Sequence, residues 1–169
     1  MENLKLGQII FVTTTLLLDG EIFKLHKTKL EDAITDRFGT HIRMANDNNW
    51  GACPTRSRDQ VVTNRQELDA LLDKSEGYKH HKQGNIDNPK KNVYKASFSV
   101  SRQEVTIQRF QFNQNITSLK EGSYSEYICK GSLGTTTLKV YNEELPSNFF
   151  YTMEEAVKEV GEIVNDLLN

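Results

Sequence analysis

At 169 residues the chain is long enough to bury a core and has the usual length of one domain, with a division into 1–75 and 92–169 subdomains as the alternative. Its hydrophobic share of 37% is low while its charged share of 26% is ordinary, so Asn, Gln, Ser and Thr fill the difference and the chain carries much polar loop without the composition of a disordered one. A net charge of −2 by itself argues neither for nor against a nucleic-acid partner, and two distant cysteines, Cys53 and Cys129, make a poor disulfide framework and a poor zinc site, which usually needs four ligands.

Taken in chain order, residues 8–18 and 21–26 read as two strands joined at Asp19-Gly20, a strong hairpin dipeptide. The apolar run Ile9–Leu18 lacks a basic flank and a small-residue cleavage site and is too short to span a bilayer. Together with the reduced-cysteine reading, this predicts a cytoplasmic protein without a membrane partner. Thr28-Lys29-Leu30-Glu31 matches a capping box, and Leu30, Ala33, Ile34 and Phe38 follow at helical spacing, with Gly39 where a C-terminal cap belongs. That predicts a first helix. His41–Ala45 reads as a short strand.

Hydrophobic periodicity then nearly disappears between Gly39 and Asn92, leaving two polar loops at 46–62 and 75–92. Thr63 or Asn64 caps the helix between them, whose core contacts are Leu68, Leu71 and Leu72. Beyond the second loop, Tyr94, Ala96, Phe98 and Val100 alternate with Lys95, Ser97 and Ser99, the pattern of a half-buried strand. Val105 and Ile107 begin its partner. Phe110 and Phe112 continue in the opposite phase, which predicts a bulge near Gln108–Arg109. Strands follow at 123–130 and 135–141, and a second capping box at Thr152–Glu155 opens a final helix with the stripe Met153, Val157, Val160, Val164, Leu167 and Leu168. The order ββα-(β)-α-ββββα predicts an α+β fold, a mainly antiparallel sheet of about five to seven strands with three helices.

Charge is uneven along the chain. Residues 1–40 hold 5 basic and 6 acidic side chains, residues 41–131 hold 14 and 10, and residues 132–169 hold 2 and 7, giving −1, +4 and −5. Long loops often carry function, and the basic excess coincides with them. Arg43, Trp50, Arg56, Arg58, Tyr78, Lys79, His80, His81, Lys82, Lys90, Lys91 and Lys95 are the candidate contacts to nucleic acid or to a protein of a nucleic-acid machine. Lysines would hold phosphate oxygens, Tyr78 and Tyr94 would offer stacking faces, Trp50 would anchor the interface, and Arg56 and Arg58 would hold a phosphate or carboxylate. The plainer alternative is a solvated loop with Trp50 tucked into the core.

His80-His81 has no recognised metal-ligand spacing, and no metal or cofactor is implied. The expectation is a small non-catalytic binding or regulatory protein whose basic loop face, 46–95, meets nucleic acid. The rivals are a hydrolase or nuclease using His80 or His81, with a carboxylate or Cys53 completing the site, and a protein–protein adaptor or inhibitor.

Overall fold

The computed structural model describes residues 3–13, 17, 19–45, 55–75, 91–131 and 134–169. Among these residues ten strands, where about five to seven were expected, pair antiparallel into one continuous sheet: β1 (Ile9–Thr13), β2 (Glu21–Asp36), β3 (Gly39–Met44), β4 (Thr55–Ser57), β5 (Val61–Val62), β6 (Asn92–Ser99), β7 (Glu104–Ser118), β8 (Gly122–Gly131), β9 (Gly134–Val140) and β10 (Phe149–Phe150). The central order is β10-β6-β7-β2-β1-β5, with β3-β4 attached to the far half of β2 and β8-β9 to the far half of β7. Among the described residues there are two helices, α1 (Arg65–Lys74) and α2 (Met153–Leu168), where three were expected. Neither is long and apolar enough to cross a membrane.

One face of the sheet is covered by the helices. Phe11, Phe23, Leu25, Tyr94, Ala96, Val105 and Ile107 point to it and meet Leu68 and Leu72 of α1 and Met153, Ala156, Val160 and Val164 of α2. Side chains alternate across a strand, so the neighbouring residues point to the second face. There two smaller apolar clusters sit apart: Ile10, Val12, Leu30, Ile42, Met44 and Val61 at one end, and Val93, Phe110, Tyr127, Cys129, Leu138 and Val140 at the other. Both helix caps form as the sequence predicts. Asn64 accepts from the Glu67 N–H at 2.9 Å, and Thr152 from the Glu155 N–H at 3.3 Å.

The expected helix over Leu30–Phe38 is instead the second half of β2. The pairing of β2 with β3 steps from Leu30↔Met44 to Asp32↔Arg43, leaving Glu31 as an extra residue. That bulge turns an alternation of two into a spacing of three, so Leu30 and Ala33 share a face and imitate helical periodicity. The Thr28 hydroxyl donates to the Ala45 carbonyl at 3.3 Å and caps nothing. Gly39, at φ +119°, closes a two-residue turn over Arg37-Phe38, and Asp36 braces that turn by accepting from the Phe38 N–H at 2.8 Å.

A further expectation fails for an identifiable reason. Strand β7 has no bulge at Gln108–Arg109 against β6, with which it pairs without a break from Asn92↔Gln111 to Ser99↔Glu104. Its apolar phase changes because it serves different clusters on opposite faces, Val105 and Ile107 on one and Phe110 on the other. The pairing of β1 with β2, antiparallel from Ile9↔Lys29 to Thr13↔Leu25, is the hairpin expected around Asp19-Gly20. Gly20 is glycine because β8 lies against it. Its N–H donates to the Lys130 carbonyl at 2.6 Å, and a Cβ there would meet the Cys129 Sγ at 2.5 Å and the Lys130 carbonyl oxygen at 2.7 Å.

Gly20→Ala is therefore expected to destabilise the chain by about 1–3 kcal/mol, as overpacking against backbone does. Gly131→Ala, whose Cβ would meet only the Gln108 amide at 3.5 Å, should stay within about 0.5 kcal/mol of the parent. Urea unfolding of both variants checks the contrast.

A polar cleft as the candidate functional site

On the second face, between the two apolar clusters, lie three adjacent rungs of polar residues. Register places Glu21, Gln108 and Lys95 across β2, β7 and β6 in one rung, Lys24, Thr106 and Ser97 in the next, and His26, Glu104 and Ser99 in the third. Residues opposite one another on paired strands share a face, so all nine project to the same side. Seven of them, all but Lys24 and His26, line a cleft of about 230 Å³. Arg102, Phe110 and the end of the β8–β9 hairpin (Gly131, Gly134 and Thr136) complete its walls.

Glu21 reaches this face through a defect in the pairing. Between Glu21↔Gln108 and Phe23↔Ile107 the register slips by one, with Ile22 as the extra residue. Strict alternation would have put Glu21 beside Phe23 and Leu25 under the helices. The slip buries Ile22 in the helix-side core and sends Glu21 into the cleft.

The charges there form a partly buried network. The Lys24 ammonium lies 2.8 Å from the Glu21 carboxylate and 3.9 Å from that of Glu104, and Arg102 approaches Glu104 at 4.0 Å. The side chains of Glu21 and Lys24 are only 3% and 11% exposed, so this is no surface ion pair. Buried pairs add little net stability. Lys95 stands apart from the network. Its ammonium is 5.4 Å from the centroid of the Phe149 ring, which packs edge-on against Phe110 at 5.4 Å. The arrangement can donate and accept hydrogen bonds and hold opposite charges. Among the described residues no group of three His, Cys, Asp or Glu is placed to hold a metal ion.

The sequence-predicted contacts do not assemble into one basic face among the described residues. Arg43 is met by Glu31 at 3.4 Å and Asp32 at 4.0 Å. Arg56 pairs across β3–β4 with Ile42 and so points away from the side of Arg43; its guanidinium donates to the Thr55 carbonyl at 2.9 Å. Arg58 is bound to Glu67 at 2.6 Å and donates to the Val61 carbonyl at 3.1 Å, tying the 3₁₀ turn Arg58–Gln60 to α1. Lys91 is exposed, and Lys95 lies in the cleft. Trp50, Cys53, Tyr78, Lys79, His80, His81, Lys82 and Lys90 lie outside the described residues.

Other candidate nucleophiles and bases have structural partners. Burial pushes the Cys129 thiol up, with the Glu21 charge adding to the effect, and its Sγ–H points to the Gly20 carbonyl at 3.6 Å. His41 meets Asp36 at 3.3 Å on the exposed β2–β3 hairpin, and neither lines the cleft. Burial likewise pushes the Tyr127 phenol up, to about 12.

Glu21, Lys24, Glu104, Thr106 and Gln108 were missed in the sequence. The available signal was alternation: each of the three strands is apolar on one side and polar on the other, and the strands are neighbours. No family model matches the chain, and neither a curated protein nor a solved structure matches it.

Removing the lysine alone, as Lys24→Met, should cost about 3–5 kcal/mol because it leaves Glu21 charged and buried. Adding Glu21→Gln should recover much of that loss, a coupling that a double-mutant cycle in urea measures. A second outcome concerns Arg58. Burial works to raise the Glu67 pKa, but the Arg58 hydrogen bond and that of the Thr63 hydroxyl outweigh it, so the carboxyl titrates below its ordinary value. The folded state thus binds fewer protons there than the unfolded one. The stabilisation is present at neutral pH and lost as pH falls through the lowered value. Arg58→Ala should lower Tm by about 2–4 °C at pH 7 and by less in acid, as thermal melts across pH would record.

Proposed function

We propose that this is a non-catalytic binding protein that takes a small polar ligand into the cleft over β2, β7 and β6. The observation that carries the proposal is the buried Glu21–Lys24–Glu104 network. The fold does not need it, since apolar side chains at these positions would continue the two clusters on either side. Size supports a small ligand: at about 230 Å³ the cleft falls below the roughly 300–1,000 Å³ usual for drug-sized molecules. Binding is favoured over catalysis because each carboxylate in the cleft faces a cation, and the buried thiol nearby is held protonated.

A nucleic-acid partner is the second reading. It rests on the +4 excess over residues 41–131, part of which lies at 76–90, outside the described residues. Its affinity would fall steeply with salt.

Amide-shift mapping by NMR with a library of small polar metabolites distinguishes the two. The cleft predicts shifts concentrated at Lys95, Thr106, Gln108, Gly134 and Thr136, and a screen whose shifts all fall elsewhere sinks it. A mixed-sequence oligonucleotide tested by fluorescence anisotropy at low salt supports the second reading if it binds with a steep salt slope. The second reading is lost if no binding is detected.

A further inference from the structure

We propose that the cleft selects an anion, a hydroxylated monocarboxylate of about sugar-acid size, with its carboxylate seated on Lys95. This rests on the cleft being the binding site and adds the chemistry of the ligand.

Charge is the first argument. Glu21, Lys24, Glu104 and Arg102 are mutually engaged and sum to zero. Lys95 is left over. Among the described residues it is the cleft-lining cation with no carboxylate within ion-pair distance, so the site as a whole carries one net positive charge. The position of Lys95 also suits an anchor. It sits beside Gln108 on the central strand and has the Phe149 ring against its ammonium, which restrains a side chain that otherwise loses much rotamer freedom on binding.

The second argument is the match between the remaining groups and hydroxyls. Ser97, Ser99, Thr106 and Thr136 each offer a hydroxyl that donates and accepts, and the Gln108 amide does both as well. Glu104, whose two cations stand at 3.9 and 4.0 Å, presents a carboxylate to the cleft, which favours ligand O–H donors and disfavours a second anionic group. The Phe110 ring supplies an apolar wall for a C–H face. A dianion or a long chain fits neither the single spare charge nor the volume.

Three probes of one ring size and three charges test the assignment on the full chain: D-glucuronate, D-glucose and D-glucosamine, followed by the amide shifts of β6, β7 and the β8–β9 turn. D-glucuronate is expected to bind about tenfold more tightly than D-glucose, or better, with D-glucosamine weakest. Lys95→Met should bring D-glucuronate to the level of D-glucose, and Lys95→Arg should restore much of the difference. The parent protein supplies a check that no variant's folding can obscure. Raising salt from about 20 to about 500 mM should weaken D-glucuronate and leave D-glucose unchanged. If D-glucose or D-glucosamine binds the same amides as tightly as D-glucuronate, the anion assignment is overturned while the cleft survives as the site. If D-glucuronate moves none of these amides, the assignment is overturned whatever the broader metabolite screen shows.

Discussion

Strands β2 and β7 are registered to each other over five residue pairs, from Glu21↔Gln108 to His26↔Glu104, and every other strand joins the sheet through one of these two. Each is used twice along its length. The first part of β2 pairs with β1 and β7 and its far part with β3, while β7 pairs with β2 and β6 and then with β8. A shift of one residue in the central pairing would turn one of the two strands over relative to the other. It would put either Lys24 against the helices and Leu25 into the cleft, or Thr106 against the helices and Val105 into the cleft. The apolar cover of α2 over Val105, Ile107, Phe23 and Leu25 therefore fixes which side chains line the cleft, although α2 lies on the opposite face of the sheet.

Within that constraint the second face is divided. Its two ends are apolar and closed, one around Ile42 and Met44 and the other around Phe110 and Tyr127. The strip between them carries Glu21, Lys24 and Glu104. A continuous apolar strip would have joined the clusters into one core, with a stabilisation of about 1.5–3 kcal/mol for each buried aliphatic side chain. The chain instead holds Glu21 and Lys24 almost out of water, where attraction does little more than offset desolvation. The slip at Ile22 belongs to the same pattern, since it is the local irregularity that turns Glu21 out of the core and into this strip. Stability forgone in one place, with a backbone irregularity that directs a carboxylate into it, is the kind of local inconsistency that supports the proposed binding site.

The parts of the fold legible in the sequence were those in which one face of an element stays apolar from end to end. Alternation in β6, the stripe of α2 and the caps at Asn64 and Thr152 are of this kind. The second half of β2 was not legible, because the bulge at Glu31 gave Leu30 and Ala33 a helical spacing, and nothing in a single sequence separates the two causes. Strands of two or three residues such as β4, β5 and β10 carry no period at all. The cleft was hidden for a different reason. Alternation tells which side of a strand is polar but not whether that side opens to water. The walls that set off Lys95, Thr106 and Gln108 from solvent come from Phe110 and from the β8–β9 turn, which is distant in sequence from β2.

Charge shows the same limit more sharply. Counted along the chain, residues 41–131 stand out as basic, and that excess suggested a face. Counted in space, much of it is neutralised. Arg43 is met by Glu31 and Asp32, and Arg109 by Asp19 at 3.6 Å, all three acids coming from residues 1–40. Arg58 is held by Glu67 from within the same segment. Antiparallel pairing brings segments of opposite charge side by side, so segregation in sequence need not survive as segregation on the surface. A lysine counts toward recognition only if the fold leaves it without a carboxylate and gives it a place to hold a ligand. Among the candidate residues that the structure describes, Lys95 meets both conditions, and it lies in the cleft and not on a loop.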